Sequence, residues 1–422
     1  MHGVSLRDGL MQPWNKGLGT MERPLDLSEV AGRGWRLLNE DLSLPTAVLY
    51  EEKLQHNLAW MQRFVDEYDA KLAPHGKTTM VPKLFAQQIA GGAWGITLAT
   101  AQQTRVAYAH GIRRVLMANQ LVGRQNMEIV AHLLADPAFE HYCLVDSGEQ
   151  VEQLGRFFRA RGLRLNVLLE AGFEGGRTGV RSAAQRDAVL ASLANFRDTL
   201  ALCGVELFEG VLDNALGVRA FLDWAVELAR EVARQKRFDR DPVILTGAGS
   251  AWYDVVAEIF SRADLGCAKE IILRPGCYLT HDAGAYLHAQ KRILEENPIA
   301  RKMHSGLEPA LQLWAYVHSV PEKQKAVVGM GKRDAAFDAG LPIPALHFRP
   351  GSAAPIAPPA GWKLAKMMDQ HAFLEIAEGD DIAPGDMIGF EISHPCLTFD
   401  KWRYIPVIDP EYRVIDVVET FF

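Results

Sequence analysis

The feature that most restricts the fold of this chain is a regular alternation, starting at Thr46, of short apolar runs with longer amphipathic ones. Thr46-Ala47-Val48-Leu49-Tyr50 reads as a strand, and Glu51 to Tyr68 as a helix with Leu54, Leu58, Met61 and Phe64 on one face. Further strands are expected at Ile96–Leu98, Arg114–Ala118, Tyr142–Val145, Leu165–Leu169, Leu207-Phe208 with Gly210-Val211, Pro242–Leu245 and Glu270–Leu273. Helices are expected between them, among them Ala184–Leu202 and Leu216–Gln235. Strands alternating with helices mean βαβ units and a parallel sheet. About eight units in roughly 235 residues match an α/β fold of the (β/α)₈ barrel kind. A doubly wound open sheet competes, but no G-x-G-x-x-G follows the first strand to mark a dinucleotide site.

The texture changes after about residue 283. Prolines and glycines multiply, notably across Gly340–Trp362, and runs such as Ala315–Val317, Ala326–Val328 and Val414–Val418 read as strands without long helices between them. The expected organisation is an N-terminal arm over 1–44 that packs on another domain or subunit, a barrel over 45–284, and a mainly β domain over 285–422. A length of 422 residues accommodates that division.

With 48% hydrophobic and 23% charged residues, the composition is that of a globular domain, and a net charge of −7 argues against nucleic-acid or anionic-membrane partners. Cys143, Cys203, Cys267, Cys277 and Cys396 show no CxxC spacing and are odd in number, which points to free thiols in a reducing compartment. No secretory signal or bilayer-length apolar run is visible, so a cytoplasmic location is expected.

In a barrel, chemistry sits at the C-terminal ends of the strands. Pro74-His75-Gly76-Lys77-Thr78 follows the short run Lys71-Leu72-Ala73 and places a lysine at such an end. Desolvation there lowers an amine's pKa, as a Schiff-base nucleophile and proton-transfer base requires. Thr246-Gly247-Ala248-Gly249-Ser250 follows the strand Val243–Leu245 and precedes a helix, so its backbone N–H groups suit an anion, although a tight turn needs the same glycines. Arg274-Pro275-Gly276-Cys277-Tyr278 offers a second wall to a phosphate pocket. Arg177 ends a glycine-rich loop and suits either a cofactor contact or a surface ion pair. In the β domain, His394 and Cys396 are separated by one residue, which in an extended segment puts both on one face, where they can share a divalent ion. Two ligands suit a catalytic metal with open positions rather than a structural one.

The Pro-His-Gly-Lys-Thr stretch resembles the Pro-His-x-Lys-Thr signature of the D-serine dehydratase/D-threonine aldolase family. The resemblance runs from Leu44-Pro45-Thr46-Ala47 to the end, through Gly95–Thr100, Arg177–Val180, Gly247–Ser250, Pro275–Tyr278 and His394-Pro395-Cys396. It implies an alanine-racemase-like barrel plus β domain, pyridoxal 5'-phosphate as cofactor, and a divalent metal, Zn²⁺ with Mn²⁺ or Co²⁺ as alternatives. Lys77 would carry the cofactor as a Schiff base and take the Cα proton, and Arg177 would contact the cofactor ring. Gly247, Ala248, Gly249 and Ser250, with Gly276, Cys277 and Tyr278, would hold the phosphate, and His394 and Cys396 would hold the metal. The expected substrate is a β-hydroxy D-amino acid, and the family assembles as homodimers. Dehydratases of the family resemble His-x-Cys and its aldolases His-x-Asp, so Cys396 favours dehydration to a 2-oxo acid and ammonia over cleavage to glycine and an aldehyde. A non-catalytic pyridoxal-phosphate protein would lack the second domain and the metal pair. The chain departs from the pattern after the lysine, where Thr79 and Met80 replace a common His-Lys.

Overall fold

The computed structural model describes residues 10–422. A short antiparallel pair, β1 (Leu10–Met11) and β2 (Leu25–Asp26), opens the chain, followed by β3 (Thr46–Tyr50). The barrel strands are β4 (Ala70–Leu72), β5 (Ile96–Leu98), β6 (Arg114–Gln120), β7 (Glu140–Val145), β8 (Leu165–Ala171), β9 (Leu200–Leu207), β10 (Val243–Gly247) and β11 (Lys269–Leu273). Their order is β4-β11-β10-β9-β8-β7-β6-β5, every pairing parallel. The two ends meet: Trp94 N–H donates to Leu72 O at 2.7 Å, Thr97 N–H to Pro74 O at 2.8 Å and Thr97 Oγ1 to Ala73 O at 2.6 Å. The cylinder is therefore closed, and no edge is left to pair elsewhere.

The first of the expected strands lies elsewhere. β3 pairs antiparallel with β12 (Leu311–Glu322), and parallel with a strand near the C-terminus. The barrel strand in its place is β4, three residues long, whose middle residue Lys71 is exposed and pairs with Glu270. The stretch Ala184–Leu202 is not one helix. Its helix spans Ala183–Ala194, and its last residues begin β9, which ends at Leu207 where a strand reaching Val211 was expected. The boundary near 285 also shifts. The helix Ala285–Glu296 packs on the barrel helix Tyr253–Arg262, with Arg292 bonded to Asp254 at 2.8 and 2.9 Å and Tyr253 Oη donating to Gln290 at 2.9 Å.

After β12 come β13 (Lys325–Val328), β14 (Ile343–Phe348), β15 (Lys363–Met367), β16 (Ala372–Glu375), β17 (Met387–Glu391), β18 (Tyr404–Ile408) and β19 (Val414–Glu419). They form one sheet, β15-β16-β13-β12-β3-β18-β19, with β17 pairing both β12 and β14. The residues from Met11 to Leu42 pack on this sheet: Met11, Leu18, Leu25, Val30 and Leu37 are buried with Val48, Trp314, Met387, Tyr404 and Val417.

Asn57 ties the two parts together. Fully buried on the helix Glu51–Asp66, it donates to Leu279 O at 2.9 Å and Glu308 O at 2.8 Å, and accepts from Glu308 N–H at 2.8 Å. Removing its amide leaves three buried backbone groups unpaired, so Asn57→Ala is expected to lower the unfolding free energy by about 2–3 kcal/mol, read from the urea midpoint.

Candidate active site

A cavity of about 170 Å³ opens at the C-terminal ends of the barrel strands, and both domains line it. The barrel contributes Lys77, Arg177, Glu206, Ser250 and Arg274; the β domain contributes His394 and Cys396.

Lys77 stands on a single 3₁₀ turn, Gly76–Thr78, just beyond β4. Glycine is required before it, because a Cβ at Gly76 would lie 2.7 Å from the Phe85 ring and 2.8 Å from Ile96. The lysine is exposed rather than buried as expected, since the turn lifts its side chain off the strand end towards the open cavity. His75 beside it is held well below the usual histidine range, first by burial and then by the charges of Lys77, Arg274 and Arg177. Its Nδ1 is buried and has no hydrogen-bond partner.

Arg177 is likewise exposed, with its guanidinium stacked 4.3 Å over the Phe208 ring. A flat apolar face supports it. Two buried carboxylates stand behind it. Glu206 receives a bond from Arg274, which also donates to Leu207 O at 2.8 Å. Burial raises the Glu206 pKa against that pairing, and its Oε2 remains unpartnered. Glu170 is pushed up to about 7, first by burial and then by the Glu206 charge, although Thr178 Oγ1 donates to it at 2.6 Å and Gln120 also bonds it. At neutral pH its carboxyl is therefore partly protonated.

The expected phosphate loops divide. Gly249, Ser250, Gly276 and Cys277 line the cavity; Gly247, Ala248 and Tyr278 do not. The N–H groups of Ala248 and Gly249 donate to the Glu209 carboxylate at 3.2 and 2.6 Å. Glu209 is completely buried and takes the donors that the turn offers, so those two amides serve an internal anion. The cavity side instead presents the Ser250 hydroxyl, which accepts from Gly276 N–H at 3.2 Å and Cys277 N–H at 3.0 Å. Gly276 lets this loop approach: a Cβ there would lie 2.6 Å from Thr78 Oγ1 and 2.8 Å from His75 Cβ. Tyr278 turns the other way. Its hydroxyl accepts from Gln88 at 3.1 Å, and it borders a separate cavity of about 560 Å³ by the helices Glu51–Asp66 and Pro82–Ala90.

His394 and Cys396 meet at the cavity, but not on an extended segment. Pro395 is helical (φ −56°, ψ −44°) and starts a one-turn helix, Cys396–Phe399. His394 Nδ1 bonds Asp338 Oδ2 at 2.7 Å. The imidazole is raised to about 9, first by the Cys396 sulfur, with Asp338 adding to it. The Cys396 sulfur lies 3.8 Å from Cys277 and 3.5 Å from Thr78 Oγ1. Its thiol is pulled far down, first by the Cys277 S–H and then by His394 and Thr78, so Cys396 carries the negative charge and Cys277 keeps its proton.

Several functional candidates were not legible in the sequence. Asp338 lies 56 residues from His394, on a loop whose composition marks nothing. Tyr286, also at the cavity, stays a neutral phenol, raised by the neighbouring Cys277–Cys396 pair and by burial. Glu170, Glu206 and Glu209 do carry a signal, being carboxylates at or just past the ends of apolar strands, and strand register alone could have shown them.

A family model described as "Alanine racemase, N-terminal domain" matches residues 50–262, and another described as "Putative serine dehydratase domain" matches residues 310–408. A D-threonine aldolase of Arthrobacter sp is 24% identical over 315 residues, covering 73% of this chain and 76% of that protein. A D-threo-3-hydroxyaspartate dehydratase of Delftia sp. (strain HT23) is 30% identical over 139 residues, covering 33% of this chain and 36% of that protein. The crystal structure of the D-threonine aldolase from Filomicrobium marinum superposes with a TM-score of 0.75 at 21% identity, covering 92% of this chain and 97% of that one. With one family model matched on the barrel and another on the β domain, this chain belongs to the D-serine dehydratase/D-threonine aldolase family, pyridoxal-phosphate enzymes with the alanine-racemase-like fold.

Proposed function

We propose that this chain is a pyridoxal-phosphate- and divalent-metal-dependent lyase that dehydrates and deaminates a β-hydroxy D-amino acid, D-serine or a near analogue, to a 2-oxo acid and ammonia. The observation that carries this reading is the convergence of Lys77 from the barrel and the His394–Cys396 pair from the β domain on one cavity. The residues present fit both groups. Lys77, Arg177 and Arg274 bring three cations to a cavity that would take a phosphorylated ligand, and His75 Nδ1 is buried without a partner. His394 commits Nδ1 to Asp338, the carboxylate contact that ordinarily orients a ligating imidazole and leaves Nε2 for the ion.

Pyridoxal phosphate, when bound, supplies an electron sink that weakens the bonds at the substrate Cα. Lys77, the one lysine among the lining residues, supplies the amine that holds the cofactor and removes the Cα proton. Arg177, steadied on Phe208, holds the ring end, and the Ser250 hydroxyl, whose oxygen accepts from the Gly276 and Cys277 amides, keeps its own hydrogen to donate to the phosphate. His394 and Cys396 would hold the divalent ion, a Lewis acid for the departing hydroxide. Loss of the Cα proton and of hydroxide, followed by uptake of water and release of ammonia, balances to the 2-oxo acid. Cys396, where the family's aldolases tend to carry aspartate, favours this outcome. The match to the Arthrobacter aldolase over 73% of the chain supports a second reading, cleavage to glycine and an aldehyde. A homodimer is the family expectation and is read by light scattering.

Borohydride treatment of the purified protein is expected to fix the cofactor on Lys77, shown by peptide mass, and Lys77→Ala to lose turnover by about 10³-fold or more; label on another lysine would refute the assignment. EDTA and His394→Ala are each expected to abolish turnover while the pyridoxal absorbance persists. Product analysis with D-serine, D-threonine and 3-hydroxy-D-aspartate decides the reaction: 2-oxo acid and ammonia are expected, whereas glycine and aldehyde would install the second reading.

A further inference from the structure

We propose that Cys277 is a third ligand of the divalent ion, so that the site is a two-cysteine, one-histidine centre with one open position. This rests on the reading that His394 and Cys396 hold that ion.

The spacing of the sulfurs is the first argument. Cys277 and Cys396 stand 3.8 Å apart. Two thiolates at about 2.3 Å from one tetrahedral ion stand about 3.8 Å from each other, whereas a disulfide needs about 2.0 Å. An ordinary S–H contact has the same length, so distance alone does not decide. The origin of the two sulfurs does more. Cys277 follows the last barrel strand and Cys396 opens a short helix of the β domain, so no local geometry brings them together. Both face the cavity that also holds His394. The Cys277 backbone is fixed on both sides: its N–H donates to Ser250 Oγ at 3.0 Å, and its carbonyl accepts from His281 N–H at 2.7 Å. Its sulfur is therefore presented by a rigid turn rather than by a mobile loop.

Among the described residues no three of His, Cys, Asp or Glu already form a ligand cluster. The two sulfurs are in place, and His394 lines the same cavity with its Nδ1 held by Asp338. Cys277 then gives up its proton, as thiol ligands do on binding a metal. Two thiolates and an imidazole select Zn²⁺ or Co²⁺ over Mn²⁺ and Mg²⁺. Three protein ligands and one open position are the layout of a catalytic zinc, and the open position takes the substrate's β-hydroxyl.

X-ray absorption at the zinc edge of the zinc-loaded holoenzyme counts the sulfur neighbours at about 2.3 Å. The expected count is two for the wild type and one each for Cys277→Ser and Cys396→Ser. Loss of a ligand should also weaken zinc binding at least about tenfold, since even outer-shell changes cost that much. A wild-type count of one, unchanged in Cys277→Ser, overturns the third ligand and leaves the His394–Cys396 pair standing. A wild-type count of zero overturns both. Retention of the pyridoxal absorbance shows that a variant is folded; if Cys277→Ser does not fold, the wild-type count decides alone.

Discussion

The close approach around Thr78 is the constraint on which the rest of the site depends. Its hydroxyl lies 3.5 Å from the Cys396 sulfur, and the backbone of Gly276 passes so near that a Cβ there would stand 2.6 Å from the same oxygen. Three pieces of chain meet at this one side chain: the turn carrying Lys77, the loop after the last barrel strand, and the short helix of the β domain. Each is short and has little to hold it alone. Their packing is possible because Gly276 carries no side chain at the point of contact, while Gly76 lets the lysine turn lie against Phe85 and Ile96. The amine end and the sulfur end of the cavity are thus joined through the short Thr78 side chain.

A second network holds the two domains in that relation. Ala283 N–H donates to Ile392 O at 3.0 Å, Ala310 N–H to Thr280 O at 2.8 Å, and Tyr50 N–H to Ala310 O at 2.9 Å. These bonds connect the end of the barrel, the entry to β12 and the strand β3. Because β3 lies in the β sheet while the helix after it covers the barrel, the chain crosses between the domains twice, at Tyr50 and near residue 310, and the Cys396 turn adds a contact between them. A site shared by two domains is usually exposed to hinge motion. Here the repeated crossing works against it.

Much of this was legible in the sequence, for identifiable reasons. Seven of the eight barrel strands announce themselves in whole or part by apolar runs, because strands buried on both faces have no polar alternation. β4 escapes because Ala70-Lys71-Leu72 is three residues long with a charge in the middle. β3 looks like a barrel strand because it too is buried, but its partners lie more than 260 residues away, and periodicity carries no information about pairing. At the site, Lys77, Ser250, Gly276 and the His394–Cys396 pair were visible as local motifs. Tyr278 was assigned to the wrong side: in the turn after the last barrel strand Cys277 faces the cavity, while Tyr278 faces the helices and bonds Gln88. Asp338 and the Glu206–Arg274 pair depend on contacts between remote segments, and no local pattern encodes those.

The three buried carboxylates show how the barrel divides its charge. Glu209 is satisfied by backbone amides and never faces the cavity. Glu206 is tied to Arg274 yet keeps one oxygen unpartnered at the cavity wall. Glu170 pairs only with neutral donors, and burial, with repulsion from Glu206 added, raises it to about 7. Burying three anions within one barrel mouth is costly unless cations or donors face each of them. Arg274 faces one, the turn at Ala248 faces another, and Glu170 lowers the cost by holding a proton. This arrangement leaves Lys77 and Arg177 free of carboxylate partners among the described residues, so their charge stays directed at the cavity, where an anionic ligand would meet it.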